Sequence, residues 1–281
     1  MKVIFILGSG HCGSTLLDLI LDSHSKIIGL GQCEKIGTKD TCACGKSFSD
    51  CGFWKNVVDY QDDFYKSQVY GVYRSKKDFL FNKNNYFLKT KNKEGFSIND
   101  YITGSKEMFK KTLQASGAEV VVDSSKNTDR VELLAKDKDI EPIILHLVRD
   151  GRGVVWSYFR KNIDKKKRFP YMWKWFVMNI KAEFLRKRNN MPYVFINYSG
   201  LINNPEAELK KIIKKTGLDY EPSMLKFRRS EHHQAAGNRM RMGGSEDLKE
   251  DMEWKKKLSL KHKLIFNLLF GWLNFYYKIK K

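Results

Sequence analysis

Three stretches of this chain combine residue types that hold or react with anions: Gly8-Ser9-Gly10-His11-Cys12-Gly13-Ser14-Thr15, Asp123-Ser124-Ser125-Lys126, and Arg149-Asp150-Gly151-Arg152-Gly153-Val154-Val155-Trp156-Ser157. In the first, glycines let the backbone approach a bound group. A helix that follows such a turn aims unpaired N–H groups and its positive end at the same spot, which suits a phosphate. A nucleoside-triphosphate loop reads G-x-x-x-x-G-K-[ST], and positions 8–15 fit everything except the lysine, whose place is taken by Ser14. The loop can therefore cradle a 5′-phosphate, yet it lacks the charge that serves triphosphate cleavage. An ordinary tight strand-to-helix turn is the alternative.

The elements around these stretches follow from periodicity. Residues 2–7 are apolar, β-branched or aromatic after the lysine and read as a buried strand, and 16–22 as the helix after the loop. Further strands are expected at 25–31, 119–122, 142–148 and 193–197. Helices are expected around Val154, Val155, Trp156 and Ser157, over 171–188, and from Pro205, which suits a first helical position. Asp129 is expected to cap a helix beginning near Arg130. Strands alternating with helices predict a parallel sheet with crossovers. The expected fold is α/β: a P-loop-like three-layer sandwich with a central, mainly parallel sheet flanked by helices. All three reactive stretches then fall just after strands, at the carboxyl ends where such sheets collect ligands.

The whole chain, 1–281, is expected to form a single domain, with a substrate-selecting insertion at about 55–117 that contains an amphipathic helix near 99–115. A surface insertion without that role is the alternative. Lysine and arginine outnumber aspartate and glutamate 52 to 32, a formal net charge of +20. That field favours nucleic acid, an anionic membrane or a polyanionic small ligand. No signal peptide is visible, so a cytoplasmic location is expected. The apolar stretch 264–277, bracketed by lysines, is read as a helix docking on the core, with peripheral membrane contact as the other reading. Besides Cys12, the cysteines Cys33, Cys42, Cys44 and Cys51 cluster, but Cys42-Ala43-Cys44 is tighter than the usual zinc spacing. A four-cysteine zinc site, a redox-dependent disulfide and reduced thiols all stay open, and no metal is assigned.

The segment from Arg149 to Ser157 resembles the 3′-phosphate-binding segment of sulfotransferases that use 3′-phosphoadenosine 5′-phosphosulfate. The glycine loop is similar to their 5′-phosphosulfate loop, where a lysine or arginine precedes S-G-T-T; here His11 takes the basic position. Val122-Asp123-Ser124-Ser125-Lys126, Cys42-Ala43-Cys44-Gly45 with Cys51-Gly52-Phe53-Trp54, and Gly237-Asn238-Arg239-Met240-Arg241 are also similar to a branch with carbohydrate and tyrosylprotein sulfotransferases and bacterial relatives. The resemblance implies that Gly10, His11, Cys12, Gly13, Ser14 and Thr15 hold the 5′ end of the donor. It implies that Arg149 and Ser157 bind the 3′-phosphate, and Ser125 and Lys126 are expected to meet the substrate. The glycine-rich segment with Arg239 and Arg241 is expected to close over the donor, at least one arginine reaching a phosphate; a basic loop in solvent is the alternative.

The implied reaction is in-line transfer of the sulfuryl group to a hydroxyl or amine, releasing adenosine 3′,5′-bisphosphate. Charge builds on the bridging oxygen, where His11 would supply the donor group. Relatives tend to carry a glutamate where this chain has Gln32, which cannot take a proton, so Glu34 is the candidate base. The acceptor, whether carbohydrate, lipid, peptide tyrosine or small molecule, is open, and nucleic acid is not expected as a partner. Two other classes stay in view. One is a small-molecule kinase on the same loop. The other is a basic module for nucleic acid or membrane, resting on the 165–168 run and the aromatic–lysine mixture at 64–93.

Overall fold

The computed structural model describes residues 1–36, 41–58, 72–74, 86–88, 95, 97–160, 168–228 and 230–280. Most of the aromatic–lysine mixture at 64–93 and the basic residues 165–167 lie outside these. The described strands are β1 (Lys2–Leu7), β2 (Ile27–Gly29), β3 (Val72–Arg74), β4 (Tyr86–Leu88), β5 (Val120–Asp123), β6 (Glu141–Val148) and β7 (Tyr193–Asn197). Five of them build one parallel sheet in the order β2-β5-β1-β6-β7, flanked by helices, as the alternation predicts. β3 and β4 pair antiparallel as a separate ribbon within the 55–117 stretch. Residues 3–7 of β1 and all of β5 are buried, which is why both read as unbroken apolar runs rather than alternating ones.

By its contacts the chain resolves into two compact units: Met1–Phe5, Thr15–Ile143 and Glu221–Glu246 form one, and Ile6–Ser14, Ile144–Tyr220 and Asp247–Lys281 the other. In the first, β5 pairs with β2 and with the start of β1, placing Val120 beside both Ile27 and Lys2. Helix α1 (Ser14–Asp22) follows the glycine loop, and α2 (Trp54–Val57) closes the cysteine-bearing stretch. Helix α3 (Ile98–Ser116) is the amphipathic helix expected near 99–115. It opens with a reciprocal Ser97–Asp100 cap and ends where Gly117 takes a left-handed φ of 68°.

Helix α4 (Thr128–Leu134) corrects the expected cap. Asn127, in extended conformation, accepts from the backbone N–H groups of Asp129 and Arg130. Asp129 already lies in the first turn, so its side chain is too far along the helix for that role. The Arg130 side chain is buried and fully engaged: Nε on Asp123 Oδ2 (2.8 Å), Nη1 on Tyr101 Oη (2.6 Å) and Ser105 Oγ (3.0 Å). That network joins the end of β5 to α3 and α4.

In the second unit β6 and β7 pair in parallel, with Ile144 beside Tyr193. Around them stand α5 (Gly151–Arg160), α6 (Arg168–Arg188), α7 (Tyr198–Asn203), α8 (Pro205–Thr216), α9 (Trp254–Lys257) and α10 (Leu260–Ile279). α6 starts three residues before the expected 171, and Pro205 opens α8 as predicted. The core packs Val148, Val155, Trp175 and Phe195 against Phe266, Phe270 and Tyr277 of α10. The stretch 264–277 therefore docks as a helix, while Leu264, Leu268, Trp272 and Phe275 stay exposed on its other side. Among the described residues no helix is long and apolar enough to cross a membrane.

Candidate functional site

The glycine loop leaves β1 at Leu7 and enters α1 at Ser14. At three positions a side chain would not fit: at Gly8, whose φ is 138°, a Cβ would stand 2.3 Å from the Leu147 carbonyl oxygen. A Cβ on Gly10 would stand 2.2 Å from the Tyr158 hydroxyl. One on Gly13, whose φ is 105°, would stand 2.7 Å from the Tyr198 ring. His11 adopts φ 63°, a left-handed conformation it shares with Lys126 alone among the described non-glycine residues. Such a backbone is strained for a side-chain-bearing residue and concentrates where ligands are handled. The His11 ring sits edge-on to Tyr158 at 4.3 Å between centroids, and Tyr158 in turn stacks on Tyr171 at 4.3 Å. Cys12 and Ser14 are buried behind this surface.

In the same unit Arg149 directly follows β6 and reaches the loop. Its Nη1 lies 3.4 Å from the His11 carbonyl oxygen and 3.3 Å from Ser157 Oγ. The guanidinium rests over the Tyr198 ring, 4.8 Å from its centroid, and Nη2 donates to the Asp251 carbonyl at 2.9 Å. The Asp251 carboxylate stands 3.4 Å from the same nitrogen. Trp175 Nε1 donates to the Arg149 carbonyl at 3.1 Å and pins the backbone there. Gly10, His11, Cys12, Gly13, Ser14, Arg149 and Ser157 thus belong to one unit, and a buried cation faces the loop.

The other expected residues lie in the first unit. Thr15 Oγ1 accepts from Asn238 N at 3.0 Å, at the head of a short 3-10 turn, Arg239–Met242. Arg239 is exposed, and Arg241 donates to the Thr41 carbonyl at 3.1 Å. Glu34 is buried rather than on the surface. Its N–H donates to Ser125 Oγ (3.3 Å) and its carboxylate accepts from Asn127 Nδ2 (3.1 Å). Burial pushes the Glu34 carboxyl up to about 7, against the lowering effects of Arg130, Asn127 and Lys35. Lys126, beside Ser125, donates to the Ser124 carbonyl at 3.0 Å. Gln32, the residue at the family's glutamate position, accepts from the Lys35 ammonium.

A four-cysteine cluster does not form. Cys33 Sγ lies 3.9 Å from Ser125 Oγ and 3.7 Å from Arg130 Nη2, while Cys42, Cys44 and Cys51 gather around His233. Sequence reasoning missed His233, Asn127 beside Glu34, Tyr158 and Tyr198 along the loop, and Asp251 on Arg149. Only Tyr198 had a visible signal, as the residue directly after a strand's carboxyl end.

The fold is that of sulfotransferase domains. The chain is similar to the sulfotransferase domain of the Synechococcus PCC 7002 olefin synthase, with a TM-score of 0.57, 15% identity, and 95% of this chain and 94% of that one covered. It is similar as well to the sulfotransferase domain from the curacin biosynthetic pathway, with a TM-score of 0.55, 14% identity and coverage of 95% and 97%. A third likeness is to sulfotransferase STF9 from Mycobacterium avium, at a TM-score of 0.50, 12% identity and coverage of 99% and 77%. No family model and no curated protein matches the chain. At these identities the likeness defines the fold, and activity has to be argued from the residues.

Proposed function

We propose that this chain is a sulfotransferase that moves the sulfuryl group of 3′-phosphoadenosine 5′-phosphosulfate to a hydroxyl or amine acceptor. The observation that carries the reading is Arg149, within reach of both Ser157 Oγ and the His11 carbonyl of the glycine loop. A phosphate loop without its lysine and a separate arginine–serine clamp beside it match a nucleotide with phosphate at both the 5′ and 3′ positions. A guanidinium and a hydroxyl suit a phosphate monoester through charge-assisted and neutral hydrogen bonds. The net charge of +20 draws in a polyanionic donor.

In the proposed reaction an acceptor oxygen or nitrogen attacks sulfur in line with the bridging oxygen. The new bond to sulfur forms as the bridging S–O bond breaks, and adenosine 3′,5′-bisphosphate leaves with the electron pair. His11 donates a hydrogen bond to the bridging oxygen as charge accumulates there. Glu34, with a pKa near 7, is poised to take the acceptor's proton. Ser125 and Lys126 are assigned to the acceptor, and Arg239 and Arg241 to the donor's phosphates. Carbohydrates, lipids, tyrosyl peptides and small phenols all present a group that this chemistry serves.

The test is incubation with labelled donor and a panel of such acceptors in the absence of magnesium. A product heavier by one sulfuryl group, formed together with adenosine 3′,5′-bisphosphate, is the expected outcome. Magnesium-dependent phosphoryl transfer from ATP would replace the reading with a kinase. Salt-sensitive binding of nucleic acid without competition from adenosine bisphosphate would replace it with a binding module.

A further inference from the structure

Within the first unit three thiols and an imidazole converge. Cys51 Sγ stands 3.6 Å from Cys42 Sγ and 3.7 Å from Cys44 Sγ. His233 Nδ1 lies 3.4 Å from Cys51 Sγ and 3.7 Å from Cys42 Sγ, and all four atoms fall within 4.8 Å of one another. A tetrahedral zinc ion with Zn–S of about 2.3 Å and Zn–N of about 2.0–2.1 Å requires S–S edges of about 3.8 Å and S–N edges of about 3.5 Å. Four of the six edges match such a tetrahedron, and the other two, Cys42–Cys44 and Cys44–His233, are no longer than 4.8 Å. They are far from a disulfide, whose sulfurs sit about 2.05 Å apart.

We infer that Cys42, Cys44, Cys51 and His233 bind one zinc ion as a closed structural site. Four protein ligands complete the tetrahedron, which leaves no position for substrate or water. Binding deprotonates the three thiols and releases three protons to solvent, while His233 ligates as neutral imidazole through Nδ1. A soft thiolate-rich set of this kind selects zinc over the hard cations.

The surroundings hold each ligand in place. Cys42 N donates to the Lys46 carbonyl (2.9 Å) and Gly45 N to the Cys42 carbonyl (3.0 Å), a tight turn that lets ligands separated only by Ala43 share a site. Gly45, at φ 88°, supplies the left-handed step. The His233 ring stacks on Phe53 at 5.0 Å, and its carbonyl accepts from Trp54 Nε1 at 2.6 Å. Such outer contacts orient metal ligands. The ion would tie the 41–52 loop to a segment 182 positions beyond Cys51. It would therefore secure the chain just before Arg239 and Arg241.

The full-length chain, purified under reducing conditions without chelator, is the material for the test. Metal analysis should find one zinc per chain. Cys51→Ser and His233→Ala should lose it, and Cys33→Ser, outside the cluster, should keep it. A strong chelator should lower the melting temperature, and added zinc should restore it. Because ligand variants can fail to fold, the unaltered chain is also loaded with cobalt. Intense visible d–d bands and a sulfur-to-cobalt charge-transfer band are expected, and His233→Cys should keep them at shifted positions. A folded, reduced, unaltered chain that holds no zinc and takes up no cobalt would overturn the assignment. So would a disulfide between two of the cluster cysteines in the purified chain.

Discussion

Arg149 Nη1 stands 3.3 Å from Ser157 Oγ, so a cation at the end of β6 and a hydroxyl on the second turn of α5 address one point. The guanidinium is buried and pre-oriented by the Tyr198 ring, but it already meets Asp251. An incoming phosphate must share the arginine with that carboxylate. Arg149→Ala should weaken binding of adenosine 3′,5′-bisphosphate by about 10- to 100-fold, the loss of a charged hydrogen bond worth about 1.5–3 kcal/mol. Affinity for adenosine 5′-phosphate, which lacks the 3′ group, should hardly change. Equal losses for the two nucleotides would remove the 3′-phosphate role.

His11 is held at φ 63° against Tyr158, a conformation that presents its ring beside the loop rather than in a helix. His11→Ala should leave nucleotide affinity largely intact and slow transfer by about 100- to 1000-fold, as for loss of one donor to a developing charge. His11→Lys should retain activity, because a lysine at that position still offers a donor to the bridging oxygen. An alanine variant that transfers at the unaltered rate with saturating donor, under conditions limited by chemistry, would exclude the role.

Glu34 joins stability to activity through pH. Its carboxyl is raised from an ordinary 4.5 to about 7, chiefly by burial. Below pH 4.5 folded and unfolded chains both hold the proton, and nothing is lost. Between 4.5 and 7 only the folded chain holds it, so stability falls as pH rises, by roughly 3 kcal/mol in all, and stays lower above 7. Glu34→Gln should therefore melt higher than the unaltered chain at pH 8 and nearly the same at pH 4.5. In transfer, kcat should rise with pH through about 7, and the glutamine variant should lose that limb. A variant with an unchanged pH–rate profile would rule out Glu34 as the base.

The buried Asp123–Arg130 pair makes a separate stability prediction. Asp123→Asn leaves the guanidinium buried beside Tyr101 and Ser105 without its carboxylate, 2.8 Å away in the native chain. The expected loss is about 3–5 kcal/mol. Combining it with Arg130→Met removes the stranded charge, so the double variant should be more stable than Asp123→Asn alone. Denaturant unfolding of the four proteins in the cycle measures the coupling, and strictly additive losses would contradict it.

Much of this was readable from residue types. β1 and β7 coincide with the apolar runs 2–7 and 193–197, because buried parallel strands bounded by turns leave an unbroken signature. The glycine loop and the 149–157 segment were legible because their chemistry is local. The cap of α4 was not: Asn127 and Asp129 both suit the role, and only backbone conformation separates them. Nor was the fate of Glu34, whose burial depends on Ser125 and Asn127, more than ninety positions away. His233 and Asp251 were invisible for the same reason. Their partners are distant in the chain, and spacing carries no sign of them.

The most direct test of a donor with two phosphate positions is calorimetric titration of the full chain with adenosine 3′,5′-bisphosphate, adenosine 5′-phosphate and ATP, each with and without magnesium. The account predicts saturable binding of the bisphosphate, at least about tenfold tighter than the monophosphate, given a charged hydrogen bond at the 3′ position. It predicts that magnesium leaves that binding unchanged. Equal affinity for bisphosphate and monophosphate, or tight binding of ATP only with magnesium, would contradict it.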